Sequence, residues 1–251
     1  EEDWIRIKLK FLKKGPIFVT GDIVEHYGKA LPARADLDLV IGEFGLEDSH
    51  PKSVQTEAKK IASQYKGEPK AKRKDLTHLN FMTIDGEDAR DFDDAVYVER
   101  ETSSYALWVA IADVSYFVKT KGAIDQEAKT RGTSVYLPEK ALHMLPPELS
   151  ENLCSLKPKV VRAALTVKMT FNSRGERTGT QIYESVIKSR RRATYTEIQK
   201  EFDQGDHSTL FELFQLLRKL RIERGALDFQ FPEPVVKLNS KTSEPEEISI
   251  L

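Results

Sequence analysis

The sequence has few of the residues that mark covalently cross-linked or membrane-embedded proteins. Its 251 residues include one cysteine, Cys154, so no internal disulfide can form and a reducing compartment is favoured. No apolar run approaches the roughly 18 residues that a membrane-spanning helix needs. We therefore expect a monomeric, cytoplasmic protein without a membrane partner.

Signatures of several enzyme classes are also missing. The five histidines are scattered and show no metal-ligand spacing, which disfavours a zinc site. The chain has no glycine-rich phosphate loop and no nucleophile elbow. Because 39 basic and 40 acidic residues leave a net charge of −1, any binding of nucleic acid must depend on local patches.

The first quarter of the chain is predicted to form short strands and then a helix. Residues 4–11 alternate apolar and polar side chains, and further strands are predicted at 17–20, 22–25 and 37–41. Short strands separated by glycine and proline turn signals indicate a small barrel or part of one. Apolar residues then recur at helical spacing over residues 54–65.

A basic segment, residues 66–75, separates this part from the remainder. Its glycine, proline and clustered lysines predict a solvated linker, with direct contact to phosphates as the alternative. We therefore predict domains at 1–65 and 76–251. The second domain mixes predicted strands with helices, and the predicted elements are strands at 105–112, 163–171 and 181–187, a short helix ending near Gly132, and an amphipathic helix at 208–224.

The most informative stretch is residues 85–94, DGEDARDFDD, which packs six acidic side chains into ten residues. If residues 91–94 are extended, Asp91 and Asp93 point to one side, and Asp94 joins them only where the backbone bends. Gly86 would allow a turn that folds Asp85 back beside them. Carboxylates that converge in this way repel one another unless a cation lies among them.

Oxygen ligands suit Mg²⁺ or Mn²⁺, and Ca²⁺ less specifically. Two such ions about 4 Å apart can activate a water and stabilise the leaving oxygen in phosphodiester hydrolysis. The spacing therefore predicts a catalytic metal site formed by Asp85, Asp91, Asp93 and Asp94. A solvated acidic turn is the alternative, and an EF-hand loop is disfavoured because its alternation of acidic residues is broken here.

Five ordered segments resemble the ribonuclease II and ribonuclease R family, whose catalytic part is the RNB domain, and the ribonuclease R branch in particular. The segments are TIDGEDARDFDDA (83–95), VAIADVS (109–115), TSVYLP (133–138), MLPPELSENLCSL (144–156) and IKSRRRATY (187–195). The resemblance implies a processive 3′-to-5′ exoribonuclease that degrades single-stranded RNA to nucleoside 5′-monophosphates with Mg²⁺, for which Mn²⁺ is a possible substitute.

The resemblance also implies an α+β fold. Residues 1–65 would be the end of a cold-shock, OB-like β-barrel that binds RNA, and residues 76–251 the N-terminal portion of a mixed α/β RNB domain. OB folds bind single strands through basic grooves and stacking aromatic residues. After about residue 230 the pattern is lost, and the family continues with an arginine-rich motif and an S1 domain. We therefore expect the chain to be an incomplete portion of a longer enzyme.

The resemblance implies roles for individual residues. Asp85, Asp91 and Asp94 correspond to metal ligands, and Asp93 to the aspartate on which cleavage depends most. Tyr136 corresponds to a tyrosine that stacks on the nucleotide near the 3′ end, and a core position is the alternative.

Other assignments are less specific. Phe229 stands where the family has a second stacking aromatic, although the local match is weaker and a core position is the alternative. The run of Arg190, Arg191 and Arg192 is a candidate to line the RNA path, with Arg190 and Arg191 selected as the contacting residues and a solvated basic face as the alternative. Asp113 is predicted to form structural hydrogen bonds and Cys154 to lie in the core.

Two other functions remain open. A non-catalytic RNA-binding or regulatory protein of the same fold would need no cation, and a structural Ca²⁺ module would need no RNA. The presence of all four aspartates favours the nuclease, because a non-catalytic relative has no reason to keep mutually repelling carboxylates.

Overall fold

A computed structural model describes residues 3–11, 19–65, 67, 69, 72–138, 140–227, 229, 231–232, 234–239 and 241–250, excluding the side chains of 33 and 34. In the described ranges the strands are β1 (Trp4–Phe11), β2 (Val19–Gly28), β3 (Lys74–Asp75), β4 (Met82–Asp85), β5 (Asp94–Glu101), β6 (Ser104–Ala112), β7 (Val135–Leu137), β8 (Lys140–Leu142), β9 (Val161–Asn172), β10 (Arg177–Lys188), β11 (Arg191–Thr194), β12 (Pro234–Leu238) and β13 (Pro245–Ile250). The helices are α1 (Ala33–Glu43), α2 (Lys52–Gln64), α3 (Ala123–Arg131), α4 (Tyr195–Asp203) and α5 (Ser208–Glu223). A 3₁₀ turn spans Val114–Tyr116 and a π-helical turn spans Leu149–Leu153. None of the helices that the structure describes is long and apolar enough to cross a membrane.

The chain divides into two compact units. The smaller unit combines Glu1–Ser49, Val135–Leu142 and Phe231–Leu251, and the larger unit combines His50–Ser134 and His143–Gln230. The predicted domain limits at 1–65 and 76–251 stay a prediction. The structure adds that α2, which we placed in the first domain, packs with the larger unit, because Val54 and Ala58 are buried in that unit's core.

The smaller unit contains three separate antiparallel strand pairs, β1–β2, β7–β8 and β12–β13. The prediction of a strand at residues 4–11 is confirmed by β1. The strands predicted at 17–20 and 22–25 fall on one continuous strand, β2, and residues 17 and 18 lie outside the described residues. The described residues of the smaller unit do not form a closed barrel, so the OB-like barrel stays a prediction.

The strand predicted at residues 37–41 is wrong, because these residues lie within helix α1. Five apolar-rich residues are too few to separate a strand from a helix by periodicity. Pro32 directly precedes the helix, where a fixed φ costs nothing, and alanine and leucine favour helix. Among its described side chains, Ala35 and Ile41 are buried.

The larger unit is built on a seven-stranded sheet in the order β11-β4-β5-β6-β9-β10-β3. Neighbouring strands are antiparallel except for the edge pairs β11–β4 and β10–β3, which are parallel. Because helices accompany a mostly antiparallel sheet, the prediction of a mixed α+β fold is confirmed. The predicted strands at 105–112, 163–171 and 181–187 correspond to β6, β9 and β10.

Apolar side chains cover both faces of this sheet. One face packs Trp108 and Ala110 of β6 against a core that includes Val54 of α2 and Ile124 of α3. The other face packs Tyr105 against Leu213 of α5. The helices predicted at 54–65, near 124–132 and at 208–224 are therefore confirmed, and α5 is followed by Gly225 in a left-handed conformation.

Arg73 departs from the solvated linker that we predicted over residues 66–75. Only 6% of its side chain is exposed, and it donates a 2.6 Å hydrogen bond to Asp113 Oδ2 while its guanidinium lies 4.9 Å from the Tyr116 ring. Asp113 also accepts from the Ser115 hydroxyl and the Tyr116 amide. The predicted structural role of Asp113 is thus confirmed, and Arg73 is its partner.

Candidate active site

The acidic residues lie on the connection between two adjacent strands of the large sheet. Asp85 ends β4 and Asp94 begins β5, while Asp91 and Asp93 lie in the intervening loop. The antiparallel register pairs Met82 with Val96, which brings Asp85 opposite the residues that enter β5. We predicted that Gly86 would allow this reversal. Its φ is not positive and no atom lies within 4 Å of the position of an added Cβ, so the reversal does not require glycine.

A buried serine shapes the loop that carries Asp91 and Asp93. The Ser155 hydroxyl accepts from the Phe92 amide at 3.1 Å and donates to the Arg90 carbonyl at 2.8 Å. The Leu156 amide donates to the Phe92 carbonyl at 2.8 Å. Because Phe92 is itself buried, its neighbours Asp91 and Asp93 are held at the edge of the core rather than on a free loop.

Arg192 also contacts the loop that carries the aspartates. Its guanidinium donates to the carbonyls of Gly86 and Glu87 at 2.5 and 2.6 Å and lies 5.9 Å from the Phe92 ring. Parallel pairing of β11 with β4 brings it there, since Arg192 is paired with Thr83. Sequence reasoning grouped Arg192 with its two basic neighbours and selected those neighbours instead. The alternation of side chains along β11 was the signal that could have distinguished Arg192 from Arg191.

Asp85 and Asp93 have pKa values that are raised by their surroundings and by neighbouring carboxylates. Burial raises the pKa of Asp85, and Asp94 and then Asp91 raise it further, against lowering by the Thr83 hydroxyl and Arg192. Partial desolvation of the carboxyl group raises the pKa values of Asp93 and Asp94, although both residues are exposed at the surface. Repulsion from Asp91, Asp94 and Asp85 adds to the rise for Asp93. The strand connection therefore places the predicted ligands near one another, and their convergence on an ion stays a prediction.

A cation fits the chemistry of this cluster. Asp85 Oδ2 is buried and makes no hydrogen bond to any residue that the structure describes. Raised carboxyl pKa values show that the folded chain disfavours the full negative charge, which a divalent cation would offset. In the described ranges no three carboxylate, imidazole or thiol groups already converge as a complete ligand set. Binding an ion would therefore require side-chain adjustment within the loop.

The structure adds one residue that the sequence analysis passed over. His143 Nδ1 lies 3.8 Å from Asp91 Oδ2, and its Nε2 lies 3.1 Å from Glu151 Oε1. Nearby Cys154 is buried, as predicted, and burial together with Asp93 raises its pKa to about 12. This thiol is therefore protonated at neutral pH in the metal-free chain.

The two arginines predicted to contact RNA are engaged within the protein. Arg190 donates to the Thr77 carbonyl at 2.7 Å and is otherwise exposed. Arg191 makes two hydrogen bonds to the Glu201 carboxylate, at 2.9 and 2.6 Å, and this contact raises its pKa. Arg190 can present donors to a phosphate from its present position, whereas Arg191 would first have to leave Glu201. Their roles in RNA binding stay predictions.

The two aromatic candidates are both accessible. Tyr136 lies on β7 in the smaller unit with 67% of its surface exposed, which rules out the core position that was its alternative. Phe229 is 66% exposed and belongs to the larger unit, so its core alternative is also wrong. Exposure makes both rings available to a base, and their stacking roles stay predictions.

Comparison with known proteins decides the family. The family model described as the RNB domain matches residues 73–251, more than two thirds of the chain. The chain belongs to the RNB-domain family. The resemblance noted from five sequence segments is therefore confirmed, and the aspartate loop of this RNB chain lies within the matched region.

Relatives of this RNB chain carry the name ribonuclease R. The protein of that name from Escherichia coli K12 is 39% identical over 235 residues, which cover 88% of this chain and 29% of that protein. Ribonuclease R from Mycoplasma genitalium, solved with ribose-methylated single-stranded RNA, superimposes with a TM-score of 0.83 at 27% identity, over 93% of this chain and 38% of that one. The structure of the same protein in complex with double-stranded RNA superimposes with a TM-score of 0.84 at 25% identity, over 99% of this chain and 46% of that one. The chain thus spans less than a third of the curated relative's length.

Proposed function

We propose that this RNB chain carries the acidic catalytic site of a processive 3′-to-5′ exoribonuclease that releases nucleoside 5′-monophosphates from single-stranded RNA. One observation carries the proposal. Asp85, Asp91, Asp93 and Asp94 are gathered on one strand connection, where burial and mutual repulsion raise the pKa values of Asp85 and Asp93. A turn with no other function would gain nothing from such unfavourable charge.

Asp85, Asp91, Asp93 and Asp94 would hold Mg²⁺, or Mn²⁺ in its place. Two such ions, when bound, supply an activated water and charge stabilisation for the leaving oxygen. The protein's own contribution is to hold the ligands in place. Ser155 fixes the loop at Phe92, and Arg192 fixes it at Gly86 and Glu87, so the backbone that carries the carboxylates is held in place.

Binding of RNA is proposed to depend on surfaces outside this loop. The segment of residues 1–65 would act as the end of an OB-like, cold-shock domain, to which the antiparallel pair of β1 and β2 contributes, with Arg6, Lys8 and Lys10 alternating with apolar residues along β1. Tyr136 and Phe229 would stack on bases, an interaction worth about 1–3 kcal/mol per base that tolerates any sequence. Arg190 and Arg191 would contact phosphates.

Removal of divalent cations is the direct test of the acidic site. Hydrolysis of a 5′-labelled single-stranded RNA should stop in EDTA and return when excess Mg²⁺ or Mn²⁺ is added. Adding Ca²⁺ instead controls for simple charge neutralisation, since it is larger and held with looser geometry. Undiminished hydrolysis in chelator would contradict the proposed mechanism.

Replacing Tyr136 with alanine tests the stacking surface. Loss of about 1–3 kcal/mol at the 3′ end should lengthen the shortest product that accumulates, because a short RNA depends most on each remaining base contact. The product ladder from 5′-labelled RNA measures this length. Tyr136→Phe keeps the ring and should give the wild-type ladder, and an unchanged ladder for Tyr136→Ala would remove this residue from the substrate site.

The same assay separates the nuclease from a non-catalytic RNA-binding protein of this fold. RNA binding without hydrolysis, both in this chain and in any longer form of the protein, would favour the binding protein. Hydrolysis that appears only in the longer form would show that residues outside this chain complete the site.

A further inference from the structure

Arg162, near the start of β9, is a buried cation that forms no ion pair with any residue that the structure describes. Only 7% of the residue is exposed, and its guanidinium donates to backbone carbonyls. Nε donates to the Ser155 carbonyl and Nη2 to the Asn152 carbonyl, each at 3.0 Å. Nη1 lies 3.5 Å from the Val161 carbonyl. A buried charge is costly unless it is paired or hydrogen-bonded, so this arginine fixes backbone rather than balancing an acidic side chain.

The backbone that Arg162 holds is the end of the π-helical turn Leu149–Leu153 and the residues directly after it. The last carbonyls of a helical turn have no partner within the turn, and that of Asn152 bonds the guanidinium instead. A guanidinium presents its N–H groups in a rigid planar fork, so it also fixes the distance between the carbonyls that it bonds. Ser155 and Leu156 are buried, and this segment therefore lies within the core of the larger unit.

The same segment supports the loop that carries the aspartates. The Ser155 hydroxyl accepts from the Phe92 amide at 3.1 Å and donates to the Arg90 carbonyl at 2.8 Å. Phe92 lies between two of the four predicted ligands. Ser155 thus bonds Arg162 through its carbonyl and the loop through its hydroxyl. A displacement of the Ser155 backbone would therefore move the loop at Phe92.

We propose that Arg162 is a positioning residue that holds Ser155, and through it the aspartate loop, and thereby sets the affinity of the acidic cluster for a divalent cation. The inference rests on the proposed function, because it assumes that the loop carboxylates bind the ion. Arg162 itself would touch neither the ion nor the RNA. Removal of contacts outside the ligand shell commonly changes metal affinity by about 10–100-fold. We expect the lower end of that range, because Ser155 lies between Arg162 and the loop.

The amide resonance of Phe92 tests this link in the absence of metal and RNA. Arg162→Lys keeps the charge, but its single nitrogen cannot replace the fork that reaches the carbonyls on both sides. In a proton–nitrogen correlation spectrum the Phe92 amide, which bonds the Ser155 hydroxyl, should shift towards its position in Ser155→Ala. Arg162→Gln, which keeps one donor group without the charge, is the second variant should Arg162→Lys fail to fold. A Phe92 resonance at the wild-type position in the folded variant would overturn the positioning role.

Binding of Mn²⁺ to the whole chain tests the consequence for the acidic cluster, under conditions in which every variant is folded. The loss of the free Mn²⁺ signal in electron paramagnetic resonance gives the dissociation constant. Ser155→Ala and Arg162→Lys should each raise it by about tenfold. The double variant should add little, because both changes act on one contact. Thr166→Val is the matched control, since it removes a buried 2.6 Å contact with Ser185 that does not involve the loop, and it should bind Mn²⁺ as the wild type does.

Asp91→Asn distinguishes failure of this inference from failure of the proposed function. If the wild-type chain binds no Mn²⁺, or Asp91→Asn binds it equally well, the proposed function fails for this chain and the inference falls with it. If Asp91→Asn weakens binding while the Arg162 variants match Thr166→Val, only the role of Arg162 is overturned. Weakening in Thr166→Val as large as in Arg162→Lys would also overturn that role, because the loss of any buried polar contact would then suffice.

Discussion

Replacing Asp93 with asparagine should lower the rate of RNA hydrolysis by about a thousandfold or more, while RNA affinity stays close to that of the wild type. The substitution keeps the shape of the side chain and removes one negative charge. Electrostatic stabilisation by a bound cation is worth several kcal/mol in the transition state, and each 1.36 kcal/mol is a factor of ten in rate. RNA affinity should persist because the predicted contacts with RNA lie on other residues.

The stability of this variant separates loss of chemistry from loss of fold. The pKa of Asp93 is raised by burial and by three neighbouring carboxylates, so a neutral side chain relieves repulsion and should leave the metal-free chain at least as stable. The matched control is Asp88→Asn, in the same acidic stretch but not among the carboxylates that raise the pKa of Asp93, and this variant should hydrolyse RNA at the wild-type rate. A wild-type rate for Asp93→Asn would refute the assignment.

Replacing Arg73 with alanine should lower the free energy of unfolding by about 3–5 kcal/mol, because the change leaves a buried carboxylate unpaired. Asp113, with 10% of its side chain exposed, would retain only the Ser115 hydroxyl and the Tyr116 amide as donors. The cation–π contact with Tyr116 would also be lost. The expected loss is therefore a large share of the stability of an ordinary domain.

Urea unfolding followed by circular dichroism measures this loss. Arg174→Ala is the matched control, since its pair with Glu176 is exposed and should contribute less than about 1 kcal/mol. Burial alone would raise the pKa of Asp113, but bonds from Ser115, Arg73 and Tyr116 outweigh burial and lower it. The contribution of Asp113 is therefore present above the ordinary carboxyl pKa and is lost as the pH falls through the folded value. Equal losses for Arg73→Ala and Arg174→Ala would contradict this account.

Long periodic segments made most of the larger unit predictable. β6 and β9 carry extended apolar runs, and α5 repeats apolar residues at helical spacing, so their type follows from local sequence. α1 shows the opposite case, because a run of five residues fits either period and the signals for a helix were the preceding Pro32 and the alanine and leucine content. The burial of Arg73 was unpredictable for another reason. Its partner Asp113 is 40 positions away, and a basic segment looks solvated without it.

In the candidate site, too, the residues that are close in sequence could be predicted and the distant ones could not. The four aspartates share one short stretch, so their proximity could be inferred from a single strand connection. The groups that hold this connection come from elsewhere in the chain. Ser155 reaches it through loop packing and Arg192 through sheet pairing.

The distance in sequence between the loop and these partners also bears on how the protein is made. The Phe92 amide and the Ser155 hydroxyl are 63 positions apart, and Arg192 and Gly86 are 106 apart. Domains emerge from the ribosome N-terminal end first. A nascent chain that has released its aspartates but neither Ser155 nor β11 therefore lacks the bonds that shape the loop. On the proposed function, the aspartate loop would acquire its final shape only after both have left the ribosome.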